Sequence, residues 1–126
     1  MKALVIDDSR TMRRIVAGVV RDLGFEVVEA ADGQEALARM EDSGPVALCC
    51  IDWNMPVMNG LEFVQAVRAR REWRETTLMM VTTESEHGQI VKALAAGAHE
   101  YVIKPFSPDA IRDKLDWLGL LPQEVS

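Results

Sequence analysis

Cysteine is nearly absent: the 126 residues hold two, Cys49 and Cys50, and these are adjacent. Neighbouring residues of a strand point to opposite faces, so a mutual disulfide is not expected. The pair reads as two small core hydrophobes in a reducing compartment. Long apolar runs are missing as well. Residues 3–6 form the only early one, and Asp7 and Asp8 end it at once. That is too short for a secretory signal, and nothing approaches the ~20 apolar residues of a membrane span. A cytoplasmic location, without membrane contact, is the expectation. Positive charge is in deficit, with 14 Lys and Arg against 20 Asp and Glu and a net charge of −6. This argues against direct nucleic-acid binding, which needs clustered basic residues. Arg10, Arg13, Arg14 and Arg21 make one helix locally basic, read first as a solvated face and second as a docking surface. Internal repeats, low-complexity tracts and linkers are also lacking.

What remains is the chemistry of an ordinary globular chain, 48% hydrophobic and 27% charged. The length suits one domain, 1–126, large enough to bury a real core without staples. Short apolar runs alternate with amphipathic stretches throughout. Residues 3–6, Val27–Val28, Val46–Ile51, Leu78–Val81 and Tyr101–Ile103 read as strands. Between them, Met12, Ile15, Val16, Val19, Val20 and Leu23 recur at helical spacing, and Gly24 supplies a stop. Asp32 and Glu35 stand in capping-box spacing before Ala36, Leu37 and Met40. Asn59, Gly60 and Glu62 open a helix with Leu61, Phe63, Val64 and Val67 inward. Ile90, Val91 and Leu94 are read as the buried side of a fourth helix, ended by Gly97. Ser107 and Pro108 start a fifth, with Ile111, Leu115 and Leu118 inward. Five strands alternating with five helices predict an α/β fold, a doubly wound parallel sheet with right-handed crossovers.

In such a sheet, ligands bind beyond the carboxyl ends of the strands. Asp7 and Asp8 follow the first strand, Asp52 the third, Thr82 ends the fourth and Lys104 the fifth. Each alone has a bland explanation, as a cap, a β-former or a solvated lysine. Five such groups on one edge do not. Three close carboxylates repel, and a hard divalent cation, Mg²⁺ rather than zinc, resolves the conflict. A weakly held Asp could then attack phosphorus, with Lys104 and Thr82 stabilising the transferred charge.

Those residues, together with Thr11-Met12-Arg13-Arg14-Ile15-Val16, Asp52-Trp53-Asn54-Met55-Pro56, Gly60, Met80-Val81-Thr82, Ala96-Gly97-Ala98 and Tyr101-Val102-Ile103-Lys104-Pro105-Phe106, run in order from about Lys2 to Leu118. In this set the chain resembles the receiver domains of two-component signalling, in particular the stand-alone regulators of chemotaxis. The resemblance implies a flavodoxin-like sheet of strand order 2-1-3-4-5. It implies Asp52 as phosphoacceptor and Mg²⁺ on Asp8, Asp52 and the Asn54 carbonyl, with Asp7 acting through water. Thr82 and Lys104 would contact phosphoryl oxygens, and Tyr101 would turn inward as Thr82 moves. The Lys104–Pro105 bond would be cis. Thr83 stands where the family usually carries Ala or Gly and would narrow access to Asp52. Asn54 and Glu84 occupy positions that tune phosphoaspartate hydrolysis and imply a short-lived phosphoryl state.

The implied phosphodonor is a sensor histidine kinase. The output is a protein contact through the fourth helix, fifth strand and fifth helix, of the flagellar-motor type. A monomer is expected, with dimerisation on phosphorylation left open. A phosphorelay intermediate and a receiver excised from a longer regulator remain alternatives. Outside signalling, a Mg²⁺-dependent phosphatase with an aspartyl nucleophile would want a D-x-D pair, whereas Asp7 and Asp8 are adjacent. A flavin-binding domain would want a phosphate loop where Asp7-Asp8-Ser9-Arg10 stands. The chain is read as a switch that modifies only itself, not as a turnover enzyme. His87 and His99 read as surface residues, Trp53 as half-exposed at the site mouth and Trp73 as a loop anchor. Trp117 is read evenly as core edge or output surface, and most methionines as core.

Overall fold

Residue parity along the strands decides which side of the sheet each side chain faces. In the computed structural model, which describes residues 1–83, 87–104 and 106–121, the strands are β1 (Lys2–Ile6), β2 (Glu26–Ala30), β3 (Leu48–Asp52), β4 (Thr77–Thr83) and β5 (Glu100–Lys104). All pairings are parallel, in the order β2-β1-β3-β4-β5. The helices are α1 (Arg10–Asp22), α2 (Gly33–Ser43), α3 (Gly60–Arg68), α4 (His87–Ala96) and α5 (Pro108–Trp117), with a short 3₁₀ turn at Arg71–Trp73. Leu4, Ile6, Cys49, Ile51, Leu78 and Met80 face one way and pack with Met40, Phe63, Val64, Val67 and Ala93 of α2, α3 and α4. Ala3, Val5, Leu48, Cys50, Met79, Val81 and Val102 face the other and pack with Val16, Ala17, Val20, Ile111 and Leu115 of α1 and α5. Both faces are covered, so the strands read as continuous apolar runs. Cys49 and Cys50 fall on opposite faces, unbonded, and burial pushes the Cys50 thiol up to about 12.

Three helix starts follow their sequence signals, and Ser9, not singled out by the sequence, caps α1. Ser9, Asp32, Asn59 and Ser107 each accept a first-turn amide on a side-chain oxygen. At Asn59 the capping box closes in both directions with Glu62, satisfying two otherwise orphaned donors.

Several expectations shift. Val46 and Ala47 precede β3, although Ala47 already donates to the Lys2 carbonyl and accepts from the Thr77 amide. On α4 the buried pair is Ile90 and Ala93, while Val91 is 64% and Leu94 38% exposed. The helix carries two adjacent apolar stripes, and the smaller one lets it sit close to the sheet. On α1, Ile15 lies outside the buried stripe. Trp53 is buried rather than half-exposed, Trp73 is buried as an anchor, and Trp117 is 84% exposed, which answers the even reading in favour of surface. Four of the seven methionines are buried. The Lys104–Pro105 bond and Glu84 lie outside the described residues.

Gly60 shows how tightly the sheet edge is built. Its amide donates to the Trp53 carbonyl at 2.9 Å. A Cβ there would lie 2.7 Å from the Asp52 carbonyl oxygen and 3.0 Å from the Trp53 Cα. These are backbone atoms that cannot swing away. Gly60→Ala is therefore expected to lower stability by about 1–3 kcal/mol, read as a drop in the urea midpoint at unchanged slope.

Candidate functional site

The strand order reverses at β1, whose chain neighbour β2 lies on one side and β3 on the other. The carboxyl ends of β1 and β3 therefore open side by side into the crevice where ligands bind in such sheets. β1 ends at Ile6 and delivers Asp7 and Asp8; β3 ends at Asp52. Carboxylate oxygens from the three residues come within 4.8 Å of one another. Asp7 and Asp52 are buried and Asp8 is exposed.

Lys104, at the end of β5, reaches across β4 to this group. Its Nζ lies 3.3 Å from Asp7 Oδ2 and 3.2 Å from Asp52 Oδ1. The ammonium is mostly buried and donates to both carboxylates at once. Such charge-assisted bonds are stronger than neutral ones. Thr82 is buried in β4 opposite Ile103, and Thr83 lies half-buried opposite Lys104. Asn54 is exposed in the loop after β3. Tyr101 is half-buried on the face lined by Met80 and Ala93, its ring centroid 5.2 Å from Lys114 Nζ. Six sequence-designated residues thus gather at the sheet edge (Asp7, Asp8, Asp52, Thr82, Thr83 and Lys104), while Tyr101 stands one layer deeper.

Other residues fix these positions, and the sequence did not single them out. The Asp7 amide donates to the Ala30 carbonyl, and Asp7 Oδ1 accepts the Ser9 amide at 2.9 Å. Arg13 donates from its guanidinium to the Asp7 carbonyl at 2.9 Å and pairs with Glu29 at 3.2 Å. This arginine, read as part of a solvated face, is in fact a brace for the acidic turn. Its one legible signal is its place one helical turn after Ser9. His99 is exposed, as expected, with Nδ1 accepting the Leu78 amide at 3.1 Å.

Electrostatics follow from the crowding. Burial first, then the charge of Asp7, pushes the Asp52 carboxyl up to about 6, with Lys104 pulling the other way and Asp8 adding to the rise. Burial would lower Lys104, but Asp52 and Asp7 outweigh it, and its pKa is raised. Three carboxylates against one ammonium leave an excess of negative charge. The donor set is all oxygen, with one carboxylate exposed and accepting no hydrogen bond among the described residues. That set fits a hard divalent cation such as Mg²⁺.

A profile of the response regulator receiver domain matches residues 3–116. Chemotaxis protein CheY1 of Helicobacter pylori is 43% identical over 117 residues, covering 92% of this chain and 94% of that protein. The chemotaxis protein CheY homolog of Campylobacter jejuni is 44% identical, covering 92% and 90%. Among solved structures, chemotaxis protein CheY4 of Vibrio cholerae superposes with a TM-score of 0.84 at 39% identity, covering 92% of this chain and 96% of that one.

A carboxyl whose folded pKa is raised stabilises the fold below its unfolded pKa and loses that contribution as pH rises through the folded value. For Asp52 that window runs from 3.8 to about 6. Asp52→Asn is expected to stabilise the metal-free protein at pH 7 by about 1–2 kcal/mol, after allowance for solvent screening. The gain should fade below pH 3.8 and shrink when Mg²⁺ is added, as followed by thermal melts across pH.

Proposed function

Because the chain belongs to the response regulator receiver family and is a two-component regulator of the chemotaxis type, we propose that Asp52 is its phosphoacceptor. Receivers of this kind are signalling proteins, phosphorylated by histidine kinases and acting on downstream effectors. The observation that carries the reading is the Lys104 ammonium bridging Asp7 and Asp52 beside the exposed Asp8.

Mg²⁺ would be held by Asp8, Asp52 and the Asn54 carbonyl, with Asp7 supporting through water. It would neutralise excess negative charge and offset that of an incoming phosphoryl group. The division between Asp7 and Asp8 has a physical basis. Asp7 already spends one oxygen on the Ser9 amide and the other on Lys104, whereas Asp8 is exposed. Asp52 is the nucleophile, at the end of a strand and anchored by backbone. Lys104 holds phosphoryl oxygens from one side and Thr82 from the other. Thr83 narrows the approach, and Asn54 and Glu84 set the rate of hydrolysis.

The switch runs through β4 and β5. A phosphoryl group adds about −1.5 to −2 charge and three strong acceptors, which draw in the Thr82 hydroxyl. Tyr101, half-buried, moves further inward as Thr82 leaves. The output face is formed by α4, β5 and α5. Val91 and Leu94, with Trp117, leave exposed apolar surface on α4 and α5, and such surface marks contact sites. A protein effector, of the flagellar-motor type, fits that face. The described residues contain no helix long and apolar enough to cross a membrane.

With Mg²⁺ and acetyl phosphate, the protein is expected to gain one phosphoryl group by intact mass, and Asp52→Asn to gain none. Unchanged mass in folded, Mg²⁺-binding protein overturns the assignment. Asp8→Asn should weaken Mg²⁺ binding roughly tenfold or more by calorimetric titration, without lowering the melting temperature of the metal-free protein.

A further inference from the structure

The loop leaving Asp52 contains a conformation that packing does not account for. The Met58 amide donates to the Pro56 carbonyl at 2.7 Å, closing a three-residue γ-turn. Val57 is its apex, at φ +68°, and is the only described non-glycine residue with positive φ. Such turns are rare and strained, and a β-branched residue in the left-handed region is an outlier. The side chain gains nothing within the chain in return, being 74% exposed. Its neighbours are fixed: Met55 is buried, Asn59 caps α3 and the Gly60 amide holds the Trp53 carbonyl. Glycine or asparagine would keep the turn without the strain and without an aliphatic group in water. An avoidable cost at a functional site points to a role for the side chain itself.

Position supplies the occupant. A phosphohistidine can deliver its group to Asp52 only if its imidazole enters the crevice in line. The protein surface around that histidine must then lie over the loop that begins at Asp52. We propose that Val57 is a specificity residue for protein phosphodonors, covered by apolar side chains flanking the donor histidine. The inference rests on Asp52 being the phosphoacceptor. In the transfer, the donor P–N bond breaks as a carboxylate oxygen of Asp52 forms the P–O bond. The imidazole nitrogen keeps the electron pair and takes up a proton. Small donors with the same P–N bond have no surface to lay on Val57 and do not sense it.

The test compares Val57→Asn and Val57→Ile with the wild-type chain under two donors. One is phosphoramidate; the other is a chemotaxis histidine kinase, autophosphorylated on ATP, that transfers to the wild-type chain. Val57→Asn should melt at a higher temperature, accept from phosphoramidate at the wild-type rate, and accept from the kinase roughly five- to tenfold more slowly. Val57→Ile should stay within about twofold of wild type with both. An unchanged kinase rate in Val57→Asn, or an equal fall with both donors, overturns the role of Val57. Failure of wild-type Asp52 to accept from phosphoramidate overturns the phosphoacceptor reading instead.

Discussion

Three carboxylates held within reach of one another, with a single ammonium between two of them, set the terms for this structure. Left in water, Asp7, Asp8 and Asp52 would separate. Here two are buried, and the Lys104 Nζ within 3.3 Å of both is the group that makes the burial tolerable. Removing the ammonium is the costly change, because it strands two buried carboxylates beside each other, whereas neutralising Asp52 leaves Lys104 paired with Asp7. The arrangement is also incomplete, since one cation cannot balance three anions. An imbalance of this kind suits a divalent cation.

Keeping the carboxylates close requires a scaffold that will not yield, and the structure supplies it through backbone. The Asp7 peptide is tied to Ala30 on one side and to the Arg13 guanidinium on the other. The end of β3 is clamped by α3, whose first residue must be glycine to approach the Asp52 carbonyl. Secondary structure and site are thus one construction. The same capping and close packing that start α1 and α3 also fix the acids.

Much of this is legible in the sequence, and the limits have identifiable causes. The alternation of apolar runs with helical stripes yields the fold, because strands buried on both faces leave unbroken hydrophobic segments such as Leu48–Ile51. The site is legible because its charged residues stand directly after those segments, at Asp7, Asp8, Asp52 and Lys104. What periodicity misreads is the choice between neighbouring stripes. On α4, residue size favours Val91 and Leu94, yet closeness to the sheet favours Ala93. Trp53 beside a polar site suggests exposure, but it is buried in the cluster that also holds Phe63 and Val64. Arg13 looks like one more surface charge until the turn it braces is built. The positive φ of Val57 leaves no trace in composition, since nothing about valine announces it.

The register of β4 and β5 offers the proposed switch a route from the crevice. Thr82 lies opposite Ile103, Met80 opposite Tyr101 and Thr83 opposite Lys104. Alternation places Thr82, Met80 and Tyr101 on one face, the one that Ala93 of α4 also packs against. Thr82 and Tyr101 are therefore diagonal neighbours under α4, close enough for a shift of one to change the space left for the other. Lys104 points to the opposite side, towards Asp7 and Asp52, so the same strand carries a site residue at its end and Tyr101 three residues earlier. Two packed strands move as a unit more readily than they deform. On the proposed switch, a pull on Thr82 and Lys104 would reach Tyr101 and α4, where the exposed Val91 and Leu94 lie. In that proposal the donor would meet the crevice while the α4 surface faces solvent elsewhere, so charging the site and reading it would not compete for one surface.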